Sequence, residues 1–130
     1  MQKEIEEFID WTKIKIRLHL KTDLVYFYER EIWWASLGFN IGYEQDGKNE
    51  KFERPILILK KFNKNILWAL PMTSQNKTGG FYYQFETEDN KYSVILSQLR
   101  LISSKRLLRK IKVLSNVDFE KIRKYIKDFL

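Results

Sequence analysis

Pro55, Ile56, Leu57, Ile58 and Leu59 form a nearly continuous apolar run, the pattern of a strand buried on both faces. Other strand-length runs lie on either side of it. Residues 31–37, 66–72, 81–85 and 92–96 read as strands, and residues 110–114 alternate as a short edge strand. Turn chemistry separates them: Phe62-Asn63-Lys64-Asn65, a loop from Ser74 to Gly80, and Glu88-Asp89-Asn90. Residues 101–108 read as irregular. Trp33 and Trp34, adjacent on one strand, point to opposite faces. Five or six short strands with tight turns predict a mainly β fold with some helix, a small closed or half-open barrel.

Helices are expected at both ends. Ile5, Phe8, Ile9 and Thr12 fall at helical spacing, with acids in the first turn. Residues 13–20 alternate like a strand but also fit a helix with a broad apolar face, and the helix is preferred. Lys21, Thr22 and Asp23 break it. Near the C-terminus Ser115 or Asn116 can cap a helix, with Asp118 in its first turn and Phe119, Ile122 and Ile126 on one stripe.

A chain of 130 residues makes one ordinary domain. No apolar run is long enough to span a membrane, and the polar, acidic start is unlike a secretory signal, so a cytoplasmic protein is expected. The net charge of +7 is unevenly placed. Residues 1–98 hold fourteen basic and fourteen acidic side chains, whereas residues 99–130 hold ten and three. Such an excess suits an anionic partner, or it is a solvated helix face.

Much chemistry is excluded by what is missing. Cysteine is absent, so disulfides and thiolate metal sites are impossible. His19 is the sole histidine and lies far in sequence from the loops, so neither a zinc site nor a Ser-His-acid triad is expected. Glu44, Asp46, Glu50 and Glu53 share one loop, but their spacing matches no calcium loop. No glycine-rich phosphate loop is present. No cofactor and no metal are expected.

Two junctions remain. The polar stretch from Phe39 to Glu53 is too long for a hairpin turn and meets the buried strand at Arg54-Pro55. The next strand ends at Pro71-Met72-Thr73-Ser74-Gln75. On neighbouring strands these junctions can lie side by side on one rim. An arginine beside a hydroxyl makes a phosphate clamp, a charged fork of donors plus one more. The same residues also suit a structural role, with Arg54 paired to Glu53 or a loop carboxylate and Thr73 closing a strand end.

Five segments in register resemble the MazF/PemK toxins. Glu31-Ile32-Trp33-Trp34 resembles the family's opening strand, and Gly42-Tyr43-Glu44-Gln45-Asp46-Gly47 its GSEQxG loop. Arg54-Pro55-Ile56-Leu57-Ile58-Leu59 resembles RPAVVLS, and Leu70-Pro71-Met72-Thr73-Ser74 resembles VPxTS. Residues 97–107, from Ser97-Gln98 to Arg106-Leu107, are similar to xQIRTIDKxRL. The likeness covers residues 29–130 and leaves residues 1–28 as an N-terminal helical extension. Two departures stand out: Arg30 precedes the first strand where the family has glycine, and serine (Ser104 or Ser103) replaces an aspartate.

The resemblance implies an SH3-like barrel of MazF/CcdB type, active as a homodimer, inhibited by an antitoxin protein, and cutting single-stranded RNA without metal. It implies attack of the ribose 2′-hydroxyl, leaving a 2′,3′-cyclic phosphate and a 5′-hydroxyl. Arg54 would stabilise the charged phosphorane, Thr73 would bond a non-bridging oxygen or orient Arg54, and Glu44 would serve as base. Gln45 and Gln98 would contact RNA, and Phe39, Tyr43, Phe52 and Phe81 would stack bases, though each aromatic equally suits the core. Arg106, in the basic region, would track the strand. Two further readings stay open: a CcdB-like, gyrase-inhibiting poison, and a barrel that binds RNA without cutting it.

Overall fold

The computed structural model describes residues 1–88 and 90–130. In chain order it contains α1 (Gln2–Leu20), β1 (Glu31–Ser36), β2 (Glu53–Lys61), β3 (Ile66–Thr73), β4 (Tyr82–Glu86), β5 (Lys91–Ile95), β6 (Arg100–Ser103), β7 (Leu107–Val113) and α2 (Asn116–Asp128). Short 3-10 turns at Leu96–Gln98 and Ser104–Arg106 flank β6. Of the turn expected at Glu88, Asp89 and Asn90, Asp89 lies outside the described residues.

All pairings are antiparallel, in the order β4-β5-β3-β2-β1-β7, with β6 also on β3. The sheet forks at β3. One edge of β3 pairs with β2; on the other, Ile66–Ala69 pair with β6 while Met72 and Thr73 pair with β5. The fork curls the sheet into a half-open barrel, and no pairing among the described residues closes β4 onto β7.

The curled sheet is packed on both faces. Ile32, Leu57, Leu70 and Met72 pack beneath Phe119 and Ile122 of α2. On the other face Trp33, Ala35, Ile56, Ile58, Leu67 and Ala69 pack with Phe27 and Leu107. Successive residues of β2 thus enter different cores, as the apolar run predicts. α2 begins as expected: the Ser115 hydroxyl accepts from the Asp118 amide at 3.2 Å.

Three local expectations are corrected. Residues 101–108 are not irregular. They carry β6, a turn and the start of β7, and the turn is held by serines that hide the strand periodicity: Ser103 Oγ accepts from Lys105 N, and Ser104 Oγ donates to the Lys64 carbonyl. The apolar stripe of α1 is only in part its docking face. Ile5 and Ile9 stay exposed, Phe8 leans edge-on against Phe39, and Trp11 is the buried side chain, because it lies against Gly38, which has no side chain to obstruct it. Finally, the C-terminal basic excess is largely engaged. Arg109 and Lys110 pair with buried Glu53 and Glu31, Arg100 and Arg106 donate to the Leu37 carbonyl, and Lys105 donates to that of His19. The unpaired remainder is chiefly on α2.

The departure at Arg30 has a structural meaning. Its φ is 75°, in the left-handed region where glycine is at ease. The side chain offsets part of the strain by donating Nε and Nη2 to the Leu114 carbonyl at 3.2 and 3.0 Å. No helix among the described residues is long and apolar enough to cross a membrane.

Candidate active site

The site begins at the loop-side ends of β2 and β3. Ile56 stands opposite Pro71, so the same register continued by two residues sets Arg54 opposite Thr73. Both side chains are buried, at 7 % and 8 % exposure, a correction to the picture of an open rim. Arg54 Nε donates to the Asp46 carbonyl at 2.6 Å and Nη1 to the Met72 carbonyl at 3.1 Å. No carboxylate is bonded to it, and Nη2 has no acceptor among the described residues. Burial lowers its pKa, and the nearby charge of Asp46 opposes that shift. The guanidinium is thus a desolvated cation held by two backbone carbonyls, with one corner of its fork uncommitted. Thr73 Oγ1 accepts from the Gln75 amide at 3.2 Å, which leaves its proton to give.

Arg54 and Thr73 line two adjoining depressions. One, of about 310 Å³, also has Trp34, Glu53 and Tyr92 in its wall. The other, of about 280 Å³, is bounded by Gln45, Gln75, Lys77 and Tyr82. Lys48 lines both. Ser93 fixes the far wall: its hydroxyl donates to the Gln75 carbonyl at 3.1 Å and accepts from the Lys77 amide at 3.3 Å.

The remaining expected residues divide into near and far. Gln45 belongs to the Arg54–Thr73 depression and also to a third, of about 230 Å³, lined by Glu44, Gln98 and Arg100. Glu44 therefore sits one depression away from Arg54, exposed, with Oε1 accepting from the Ile41 amide. Both ends of the Gln98 amide are taken: Oε1 accepts from Gln45 N at 3.3 Å, and Nε2 donates to the Tyr43 carbonyl at 3.1 Å. Tyr43 itself is 99 % exposed beside them.

The aromatic expectations are mixed. Phe52 is not free to stack a base. It is buried against Trp11, ring centres 5.6 Å apart, and its φ of 51° is imposed by the loop closing on it. Phe39 is half-buried under Phe8, and Phe81 is exposed but leans on Phe129, just past the end of α2. Arg106 faces inward as well. Its guanidinium lies over the Trp11 ring and donates to the Ser36 carbonyl, and burial with Arg100 beside it pushes its pKa down to about 10. Its observed work is to join α1 to the barrel.

Among the described residues no three His, Cys, Asp or Glu side chains gather as metal ligands would. His19 lies on exposed α1, away from the strand ends. The arrangement therefore offers a buried cation, a hydroxyl donor, a mobile-chain cation at Lys48 and a nearby exposed carboxylate, a set suited to gripping a phosphodiester.

Residues 28–130 match the family described as the PemK-like, MazF-like toxin of type II toxin-antitoxin system. The chain belongs to the PemK/MazF-like toxins. Solved structures share the fold at low identity. MazF from Deinococcus radiodurans aligns with a TM-score of 0.64 and 17 % identity, over 81 % of this chain and 97 % of that one. An endoribonuclease in complex with its cognate antitoxin, from a mycobacterial species, gives 0.59 and 13 % over 79 % and 93 %. The Mycobacterium tuberculosis toxin MazF-mt6 gives 0.58 and 17 % over 76 % and 94 %. No curated protein matches the sequence.

Sequence reasoning missed two residues that shape the candidate site and its surroundings. Lys48 is one; it is the first of two lysines in the long loop, six residues before Arg54, and lines both depressions. Trp11 is the other, and no local signal announces it, because its partners Gly38, Phe52 and Arg106 are distant in sequence.

Proposed function

We propose that this toxin is an endoribonuclease that cuts single-stranded RNA by transphosphorylation and needs no metal ion. The observation that carries the reading is the buried Arg54 guanidinium, with Nη2 uncommitted, opposite the Thr73 hydroxyl. The ribose 2′-oxygen attacks the adjacent phosphorus, the bond from phosphorus to the 5′-oxygen breaks, and a 2′,3′-cyclic phosphate and a 5′-hydroxyl remain. Arg54 and Thr73 donate to the non-bridging oxygens, where negative charge builds. In a desolvated pocket each such donor is worth about 3–4 kcal/mol of transition-state stabilisation. Arg54 stays protonated, so its role is electrostatic. Glu44 is the carboxylate available to take the 2′-proton, reached along the depression it shares with Gln45. RNA brings its own nucleophile, tethered beside the phosphate, so positioning supplies much of the rate. The working form is a homodimer, silenced by a cognate antitoxin.

The test is incubation of the purified protein with end-labelled RNA, with and without EDTA. Cyclic phosphate ends formed equally in both support the reading. Full loss of activity in EDTA, or efficient cutting of a strand with a 2′-deoxy sugar just 5′ of the cleaved bond, overturns it. A protein that poisons gyrase while leaving RNA intact would be CcdB-like instead.

A further inference from the structure

A further cavity lies outside the strand-end site. It is a groove of about 750 Å³ between α1 and the Phe39–Phe52 loop. Its apolar surface comes from Ile14, Phe39 and Phe52, and Phe39 is braced edge-on by Phe8 at 4.6 Å. Lys13 and Arg17 stand on one wall, one helical turn and about 6 Å apart. Neither is in an ion pair among the described residues. Lys48 and Asn49 line both this groove and the cavity of Arg54 and Thr73, so the two adjoin.

The groove carries charges of both signs. Glu7 and Asp10 line the part nearer the start of α1, with Asp10 one turn from Lys13, and the facing loop adds the carboxylates of Asp46 and Glu50 and the cation of Lys48. A simple anion has no use for the carboxylates, and a basic peptide has no use for Lys13 and Arg17. A nucleotide uses both: its phosphate meets the cations, its base lies against Ile14 and the open part of Phe39, and its amino groups donate to the acids. We infer that this groove is a nucleotide subsite, occupied by the single-stranded RNA on one side of the cleaved bond and built by a helix that lies before the family-matched segment. The inference rests on the RNA-cutting reading above, and it extends the substrate contact beyond the strand ends.

The test uses the full-length chain and its Lys13→Glu/Arg17→Glu variant. Both residues are exposed, so the variant is expected to melt like the parent. RNA oligonucleotides are lengthened by two nucleotides at one end of the cut or the other. In the parent, lengthening at one end only should lower KM about tenfold. The variant should lose that gain and keep its kcat on the short substrate. Binding of an uncleavable 2′-deoxy-substituted strand should lose about 0.7 from its log–log salt slope, one phosphate contact. Equal gains in parent and variant, or an unchanged salt slope, overturn the subsite. If the parent cuts no RNA yet binding still falls on charge reversal, the subsite stands and the nuclease reading fails.

Discussion

The strand ends and the loop facing them are built in opposite ways. Arg54 and Thr73 are set by antiparallel register, and the guanidinium is fixed by backbone carbonyls of the loop and of β3. The Gly38–Phe52 loop has no such ladder beyond a single bridge, Lys48 to Glu53. Bonds within it and left-handed backbone at Gly38, Gly42, Asn49 and Phe52 shape it, Gly47 N donating to the Gly38 carbonyl and the Asn40 side chain to the Leu37 and Gln45 carbonyls, and contacts from elsewhere complete it: Trp11 against Gly38 and Phe52, and the Gln98 amide on Tyr43 and Gln45. The proposed cutting groups thus lie on the rigid part, and the surface proposed to meet the bases lies on the part whose shape is partly borrowed. In such a division substrate preference can change through distant packing while the cutting groups stay still.

The sharpest way to break this comparison is at Arg54. Replacing it by alanine should reduce RNA cleavage by about 10²–10³-fold, measured as single-turnover rate, because the main donor to the developing charge is lost. The loop should loosen only slightly, since the Asp46 and Met72 carbonyls can take water. Cleavage at a comparable rate would remove Arg54 from the site.

Trp11 tests the other half. Trp11→Ala leaves a void under Gly38, Phe52 and Arg106 and should cost about 3 kcal/mol of stability, read by denaturant unfolding. Its effect on cleavage should fall on KM more than on kcat, because the strand ends do not touch it. A kcat loss as deep as that of Arg54→Ala would show that α1 positions the cutting groups themselves.

What could be read from the sequence divides along the same line. The doubly buried β2, the pairing of Arg54 with Thr73, and the capped α2 were legible, because each is written in local periodicity, register or a capping residue. The docking face of α1 was not: of its most regular apolar stripe Ile5 and Ile9 stay in solvent and Phe8 only leans on Phe39, while the buried side chain is a tryptophan seated against a glycine. Phe52 and Arg106 misled for a similar reason. An aromatic in a loop and an arginine in a basic stretch resemble ligand contacts until a helix from the far end of the chain is found covering them.

Glu31 offers a pH-dependent measure of the rigid half. It is buried in the first strand. Burial alone would raise its pKa, but hydrogen bonds from Lys110, Trp33 and the Tyr28 amide together hold it below its ordinary value of 4.5. A carboxylate depressed in the folded state stabilises the fold above its ordinary pKa, and that contribution is lost as pH falls through the depressed value. Glu31→Gln should therefore cost about 1–3 kcal/mol at pH 7. The gap between parent and variant should narrow below pH 4.5, read by thermal melts across pH 3–7. A gap independent of pH would mean that the charge of Glu31 contributes nothing.

The smallest effect is expected at Gln98, where the two halves meet. Its amide is spent on the backbone of Tyr43 and Gln45, so it acts as a clamp on the loop rather than as a hand extended to RNA. Gln98→Glu keeps the acceptor for the Gln45 amide and removes the donor to the Tyr43 carbonyl, setting two oxygens against each other. The loss should be about 1 kcal/mol of local stability, roughly a fivefold faster hydrogen exchange at the Gln45 amide, with no RNA present. Global stability should hardly move, since the loop opens without unstitching a strand. RNA affinity should fall by no more than the same factor, because the loop must be re-formed on binding. If Gln45 exchange is unchanged in the free protein while RNA binding weakens tenfold, the order is reversed: Gln98 then contacts the substrate directly, and the loop keeps its shape without it.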